Sequence, residues 1–292
     1  MTISGRQDAG PAPADGGGRP GDWTPVAPGA APAVAAPPAG ECHLWPVPVM
    51  APEPDAERRA AAEGPWLALL AREERERAAG YRADHARRIF ITSRATQRIV
   101  AACYLGRPPA EIRVARACRR CGDADHGRPS IVDAALDISV THAGQWLMLA
   151  VVGTGRVGVD LEQSDQPAGG PARSTANDLA ELVLAPTERV EFDRLAEPDR
   201  RVYFYRCWTR KEATAKLTGH GLTVRLGSLD VRADRALITA GPDDWPDGPI
   251  HLTDAPAPAG YAAALASSVA LDRVSFFSAR VPTHRSGGVA DG

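Results

Sequence analysis

Residues 136–163 read LDISVTHAGQWLMLAVVGTGRVGVDLEQ, and their pattern decides the fold class. Two strand-like runs, LDISVTH and WLMLAVVG, flank Ala143-Gly144-Gln145, so they pair as a hairpin. RVGVDLEQ follows as a third strand. Side chains alternate along a strand, so Val157, Val159 and Leu161 share one face and Gly158, Asp160 and Glu162 the other.

Helices precede these strands. WLALLAREERERAAGY repeats apolar positions at helical spacing and stops at Gly80, and RADHARRIFITSRATQRIVAACYLG reads as a second helix. Beyond a Gly/Pro/Ser-rich loop from Ser164, helices recur through LAELVLAPTERVEFDRL and FYRCWTRKEATAKLTGHGL. Strand-like pieces then follow the GHG break: LGSLDVRA, ALITA, YAAALASSVA and VSFFSAR. Helices followed by a hairpin, twice over, predict an α+β body of two similar halves that meet near Gly153–Gly158. The expected boundaries are a disordered Ala/Pro/Gly-rich extension over 1–40, halves over 41–155 and 156–282, and a loose tail over 283–292.

The 292 residues suffice to bury a real core, with 44% hydrophobic and 5% aromatic residues. A net charge of −2 gives no electrostatic attraction to nucleic acid. No apolar run reaches the roughly 18 residues of a membrane span, and the N-terminus lacks the apolar core of a signal peptide. Five cysteines do not suggest a disulfide framework. The expectation is a cytoplasmic protein without nucleic-acid or membrane partners.

Asp160 and Glu162 project side by side from a strand whose other face is apolar. This pattern also occurs on solvated edge strands. It suits a hard divalent cation with oxygen ligands, Mg²⁺ or Mn²⁺, which takes one or two protein carboxylates and completes its shell with water and phosphate oxygens. Lys211 and Lys216, in the helix that precedes the GHG break, are the only lysines of the chain; every other fixed cation is arginine. Trp208, Glu212 and Lys216 stand at i, i+4 and i+8 on one helix face, with Lys211 flanking it. Lysine is a compact charge on a flexible stem, suited to following a phosphate oxygen as charge develops.

The strand GVDLE and the helix WTRKEATAK together resemble the paired hallmarks of the Sfp-type 4′-phosphopantetheinyl transferases. HGRP and ISVTHAG are similar to upstream elements of that family, and the likeness runs from roughly Leu44 to Val281. The resemblance implies a pseudo-dimer with coenzyme A (CoA) in the cleft between its halves. It implies Mg²⁺-dependent transfer of phosphopantetheine to a serine of an apo acyl or peptidyl carrier protein, releasing adenosine 3′,5′-bisphosphate. Under it Asp160, Glu162 and Glu212 ligate the metal, Glu212 serving as base, ligand or both. Lys216 holds the diphosphate with Lys211 beside it, His142 meets the CoA 3′-phosphate, and Arg88 and Arg128 are further cations at the CoA site. The pseudo-dimer implies a monomer.

Ala143 replaces a serine common in the family hairpin and so offers phosphate only its backbone N–H. Cys118 and Cys121, followed by His126, lack the fourth ligand of a structural zinc site and read as loop cysteines. Arg87, Arg88, Arg94 and Arg98 read as a solvated helix face, with attraction of CoA phosphates or an acidic carrier protein as the alternative for some of them, and only Arg88 has a motif behind it. Two other functions are considered: a non-catalytic CoA- or carrier-binding homologue and a metal-dependent phosphohydrolase. The complete carboxylate and lysine set weighs against the first, and the absence of a further His/Asp cluster against the second.

Overall fold

The computed structural model describes residues 24–26, 34–117, 122, 127–164 and 176–279. The chain begins with β1 (Thr24–Val26), β2 (Glu41–Pro48), α1 (Ala56–Leu67), α2 (Arg72–Ala79) and α3 (Asp84–Leu105). Next come β3 (Val114–Ala117), β4 (Arg128–Ile131), β5 (Asp137–Ala143), β6 (Trp146–Val152) and β7 (Val157–Gln163). Then follow α4 (Ala176–Val183), α5 (Pro186–Arg194), α6 (Asp199–Thr218), β8 (Leu229–Asp230) and β9 (Leu237–Ile238). The last strands are β10 (His251–Ala255), β11 (Tyr261–Ser267) and β12 (Arg273–Ala279).

The hairpin forms as β5 and β6 around Gly144-Gln145, with Ala143 opposite Trp146. Antiparallel β2-β6-β5 is mirrored by antiparallel β7-β11-β10, and each set is built from an early strand plus a later hairpin. Between them lie α3 in one half and α6 in the other, both ended by a left-handed glycine, Gly106 and Gly219. This element order is consistent with the doubling expected from the sequence.

Leu44, Met148, Ala150, Val157, Val159, Leu161 and Leu265 form an apolar layer shared by the two sheets. The opposite face of β2 and β6 packs with α3 through Trp45, Val47, Leu149, Val100 and Cys103. On the other side, α6 packs with α4, α5, β10 and β11 through Phe204, Leu217, Val183, Phe192 and Leu252. Burying Val157, Val159 and Leu161 contributes about 1.5–3 kcal/mol each, which fixes which face of β7 looks outward to α6.

Several boundaries differ from expectation. Strand β12 lies in the stretch assigned to the second half but pairs in parallel with β2 of the first sheet. The open edge of β2 presents unpaired backbone groups that β12 satisfies. The extension expected to be disordered over 1–40 includes β1, which pairs in parallel with β12. Its 34–40 segment is also placed: Val34 N–H donates to the Cys103 carbonyl at 2.8 Å. Gly153 lets this segment approach, since a Cβ there would lie 2.3 Å from the Pro37 carbonyl oxygen. Backbone pairing supplies the order that the side chains of this stretch do not.

The first predicted helix is two helices, α1 and α2, because Glu74 folds back to accept from Ala71 N–H at 3.0 Å and starts a new helix. Strand β10 was not anticipated, since only Leu252 of its five residues is buried. Cys118, Cys121, His126 and the 283–292 tail lie outside the described residues, as does most of the loop after Ser164. Among the described residues no helix is long and apolar enough to cross a membrane.

Candidate active site

Gly158 determines how closely α6 approaches β7. A Cβ at this position would lie 1.9 Å from the Ala213 carbonyl oxygen and 2.7 Å from Leu217 N. The bare backbone therefore lets α6 rest directly on the outward face of β7. That contact brings the two sequence-distant motifs together. Lys216 Nζ donates to Asp160 Oδ1 at 2.5 Å and to Thr141 Oγ1 at 2.8 Å. Thr141 Oγ1 in turn donates to the same Asp160 oxygen at 3.1 Å. Strand β5 is held alongside by Ser139 Oγ, which accepts from Val159 N–H at 3.1 Å.

Asp160 is 2% exposed, and its Oδ2 is buried without a hydrogen-bond partner. Burial pushes its carboxyl up, against Lys216 and Thr141, which pull it down. Glu162 lies further along the strand and accepts from Trp208 Nε1 at 3.2 Å. Burial first and Asp160 second push Glu162 up to about 7. The same two causes raise Glu212, opposed by Lys216. Three carboxylates thus crowd one ammonium, and a further positive charge would relieve them. Among the described residues no three His, Cys, Asp or Glu side chains close around one point as a preformed metal cage.

Beside this centre opens a cavity of about 550 Å³, lined by Lys216, Arg128, His142, Arg94, Arg116, Phe90 and others from α2, α3, β3, β4, β5 and the end of α6. Cations line it without a carboxylate among the lining residues. His142 stands at this wall; partial desolvation, then Lys216 and His85, hold its imidazole below the ordinary value. Arg128 makes a bidentate pair with Asp137 at 2.6 and 2.5 Å and donates to the carbonyls of Val157 and Lys216. It clamps β4 onto β5, β7 and α6 as well as lining the cavity.

Two predicted residues are placed elsewhere. Lys211 is fully buried on the far side of α6 and is no part of the cavity. Its Nζ pairs with Glu188 Oε2 at 2.6 Å and donates to the carbonyls of Leu226 and Leu229 at 2.8 and 2.5 Å. Five residues at about 100° each turn Lys211 roughly 140° away from Lys216, so the two cannot serve one phosphate. Arg88 is also buried and turned from the cavity. Its Nε donates to Asp84 Oδ2 at 2.8 Å and its Nη1 to the Met50 carbonyl. Arg94 and Arg98, read as solvated, instead pair with Glu74 at 3.7 and 2.8 Å, and Arg94 lines the cavity.

Sequence reasoning did not pick out Thr141, Ser139, Asp137 or Glu188 as parts of the machinery. Ser139 and Thr141 fall on alternate positions of β5, the one signal that they face β7 together. Nothing local marked Glu188, whose partner is far along the chain.

Residues 156–266 match the family model of the 4′-phosphopantetheinyl transferase superfamily. The chain is 28% identical over 186 residues to the 4′-phosphopantetheinyl transferase HetI of a Nostoc species, covering 62% of this chain and 70% of that one. It is 28% identical over 181 residues to a 4′-phosphopantetheinyl transferase of Bacillus subtilis, covering 61% and 73%. The 4′-phosphopantetheinyl transferase Sfp of Bacillus subtilis is 25% identical over 114 residues, covering 39% and 47%. The matched segment contains both motifs that α6 and β7 bring into contact, and in that segment the chain is similar to the 4′-phosphopantetheinyl transferase superfamily of enzymes.

Proposed function

We propose that this chain transfers the 4′-phosphopantetheine group of CoA to a serine of an apo acyl or peptidyl carrier protein. The observation that carries the reading is the Lys216–Asp160–Thr141 cluster at the edge of a cavity lined by cations. Such a cavity suits a polyanion, and the cluster supplies what phosphoryl-type transfer needs: fixed positioning and charge stabilisation.

The serine oxygen bonds to the pantetheine phosphorus while the phosphoanhydride bond breaks, and adenosine 3′,5′-bisphosphate leaves. Glu212, whose carboxyl is raised by burial and by Asp160, is suited to take the serine proton. Lys216 is anchored through Asp160 and Thr141 and places its ammonium where negative charge gathers on the leaving phosphate. Arg128 holds the end of α6 in register through the Lys216 carbonyl.

A divalent cation fits the donor set. Asp160 Oδ2 is buried with no partner, Glu162 and Glu212 are raised by burial first and by the charge of Asp160 second, and all donors are hard oxygens. Asp160, Glu162 and Glu212 are the residues that would hold Mg²⁺ or Mn²⁺, with substrate oxygens and water completing its shell. When bound, the ion supplies a Lewis acid for the diphosphate. One chain supplies both walls of the site, so the active species is a monomer.

Incubation with CoA, Mg²⁺ and an apo carrier should release adenosine 3′,5′-bisphosphate in proportion to carrier modified, as read by chromatography. CoA consumed without carrier modification would instead indicate a phosphohydrolase.

A further inference from the structure

The cationic side chains of the cavity differ in what already neutralises them. Lys216 has Asp160, Arg128 has Asp137 and Arg94 has Glu74. Arg116, on β3, has no carboxylate partner among the described residues. Its Nη2 donates to Gln97 Oε1 at 2.7 Å, a neutral acceptor, and its Nη1 is shut away from water with no hydrogen-bond partner.

The Gln97 amide is itself fixed. Its Nε2 donates to the Ser93 carbonyl at 2.9 Å and to Ser93 Oγ at 3.1 Å, one turn back on α3. The amide oxygen is thereby committed to Arg116, and Ser93, Gln97 and Arg116 all line the cavity. Close by, Phe90 carries Arg94 over its ring at 5.0 Å and Arg77 at 5.5 Å. This is a guanidinium oriented by a neutral clamp, with an unmet donor, at a cavity whose described lining residues include no carboxylate. Arginine's planar fork is matched to phosphate.

We propose that Arg116, positioned by Gln97, binds the ribose phosphate monoester of CoA and so sets the preference for CoA over its 3′-dephospho form. This rests on the transferase reading, in which the diphosphate lies at Lys216 and leaves one further phosphate to be met. His142, the residue that the resemblance assigns to this phosphate, is held toward its neutral form by desolvation and by Lys216. Arg116 supplies a permanent charge that a neutral imidazole does not.

The test is calorimetric titration of the full chain with CoA and with 3′-dephospho-CoA, in the wild type, R116Q and R116K. The wild type should bind CoA more tightly, and R116Q should narrow that ratio about tenfold, the scale of one charge-assisted hydrogen bond. Affinity for 3′-dephospho-CoA should be unchanged. R116K keeps the charge without the fork, and its ratio should fall between the two. An unchanged ratio in R116Q, or in R116K should R116Q not fold, overturns the assignment. Equal wild-type affinity for the two ligands also overturns it while leaving the transferase reading in place. Binding of neither ligand overturns both.

Discussion

Lys211 and Lys216 stand on one helix and meet opposite surroundings. Lys211 and its partner Glu188 are both wholly buried, and the remaining donors of the ammonium are taken by two backbone carbonyls. Glu188 is equally committed, accepting from Ala185 N–H and Val231 N–H at 2.8 Å each. Lys216 is partly exposed, shares one oxygen of Asp160 with Thr141, and leaves the other oxygen unmet. A saturated ion pair ties α6 to α5 and to the segment around β8. An unsaturated one faces a cavity and is ready for a ligand. Equal charge on one helix thus gives no guide to role; the count of satisfied partners does.

The largest expected effect lies on the cavity side. Lys216→Ala should lower kcat by about a hundredfold to a thousandfold, the usual loss for one charge-stabilising donor, with circular dichroism unchanged. A near-normal rate would remove the functional half of the contrast. On the buried side, Lys211→Met should cost about 3–5 kcal/mol in urea unfolding, because Glu188 is left buried without its counter-charge. Adding Glu188→Gln to that variant should recover part of the loss, because the buried charge is gone while the amide oxygen keeps one of the two backbone N–H contacts. If Lys211→Met instead cut kcat with no loss of stability, Lys211 would belong to the site after all.

Gly158→Ala tests the contact that joins the two motifs. Its Cβ would collide with the backbone of α6, so a cost of about 1–3 kcal/mol is expected from overpacking, together with a lowered kcat. Wild-type stability and rate would mean that α6 does not rest on β7 as described.

A smaller effect concerns pH. Glu162 is raised from 4.5 to about 7 in the folded chain by burial and by Asp160. Between those values the folded chain holds a proton that the unfolded chain releases. The contribution of this group is therefore full below the lower value and is lost as pH rises through the upper one. In metal-free buffer the thermal midpoint of the wild type should fall over that window relative to Glu162→Gln. Parallel curves would show that Glu162 is not held in the crowded environment described.

The α+β class, the β5–β6 hairpin and the alternation of β7 were legible because each is a local pattern: apolar periodicity and a glycine turn. The pairing of Asp160 with Lys216 was legible through the two motifs, although the glycine that permits it was read only as a member of the outward face. Lys211 was misplaced because its sequence neighbours do not reveal Glu188, and only helix phase separated it from Lys216. Arg94 and Arg98 were misread for a similar reason: Glu74, on another helix, buries and neutralises them. The crossover of β12 to β2 was hidden because strand pairing between chain ends leaves no local signal.

The central claim is that the cluster on β7 and α6 performs phosphopantetheinyl transfer. It is tested most directly by weighing intact apo carrier proteins after incubation with this chain, CoA and Mg²⁺. The account predicts a mass gain of one phosphopantetheine group on at least one carrier with the wild type, and its loss with Lys216→Ala. No gain on any acyl or peptidyl carrier, or an equal gain with Lys216→Ala, would contradict it.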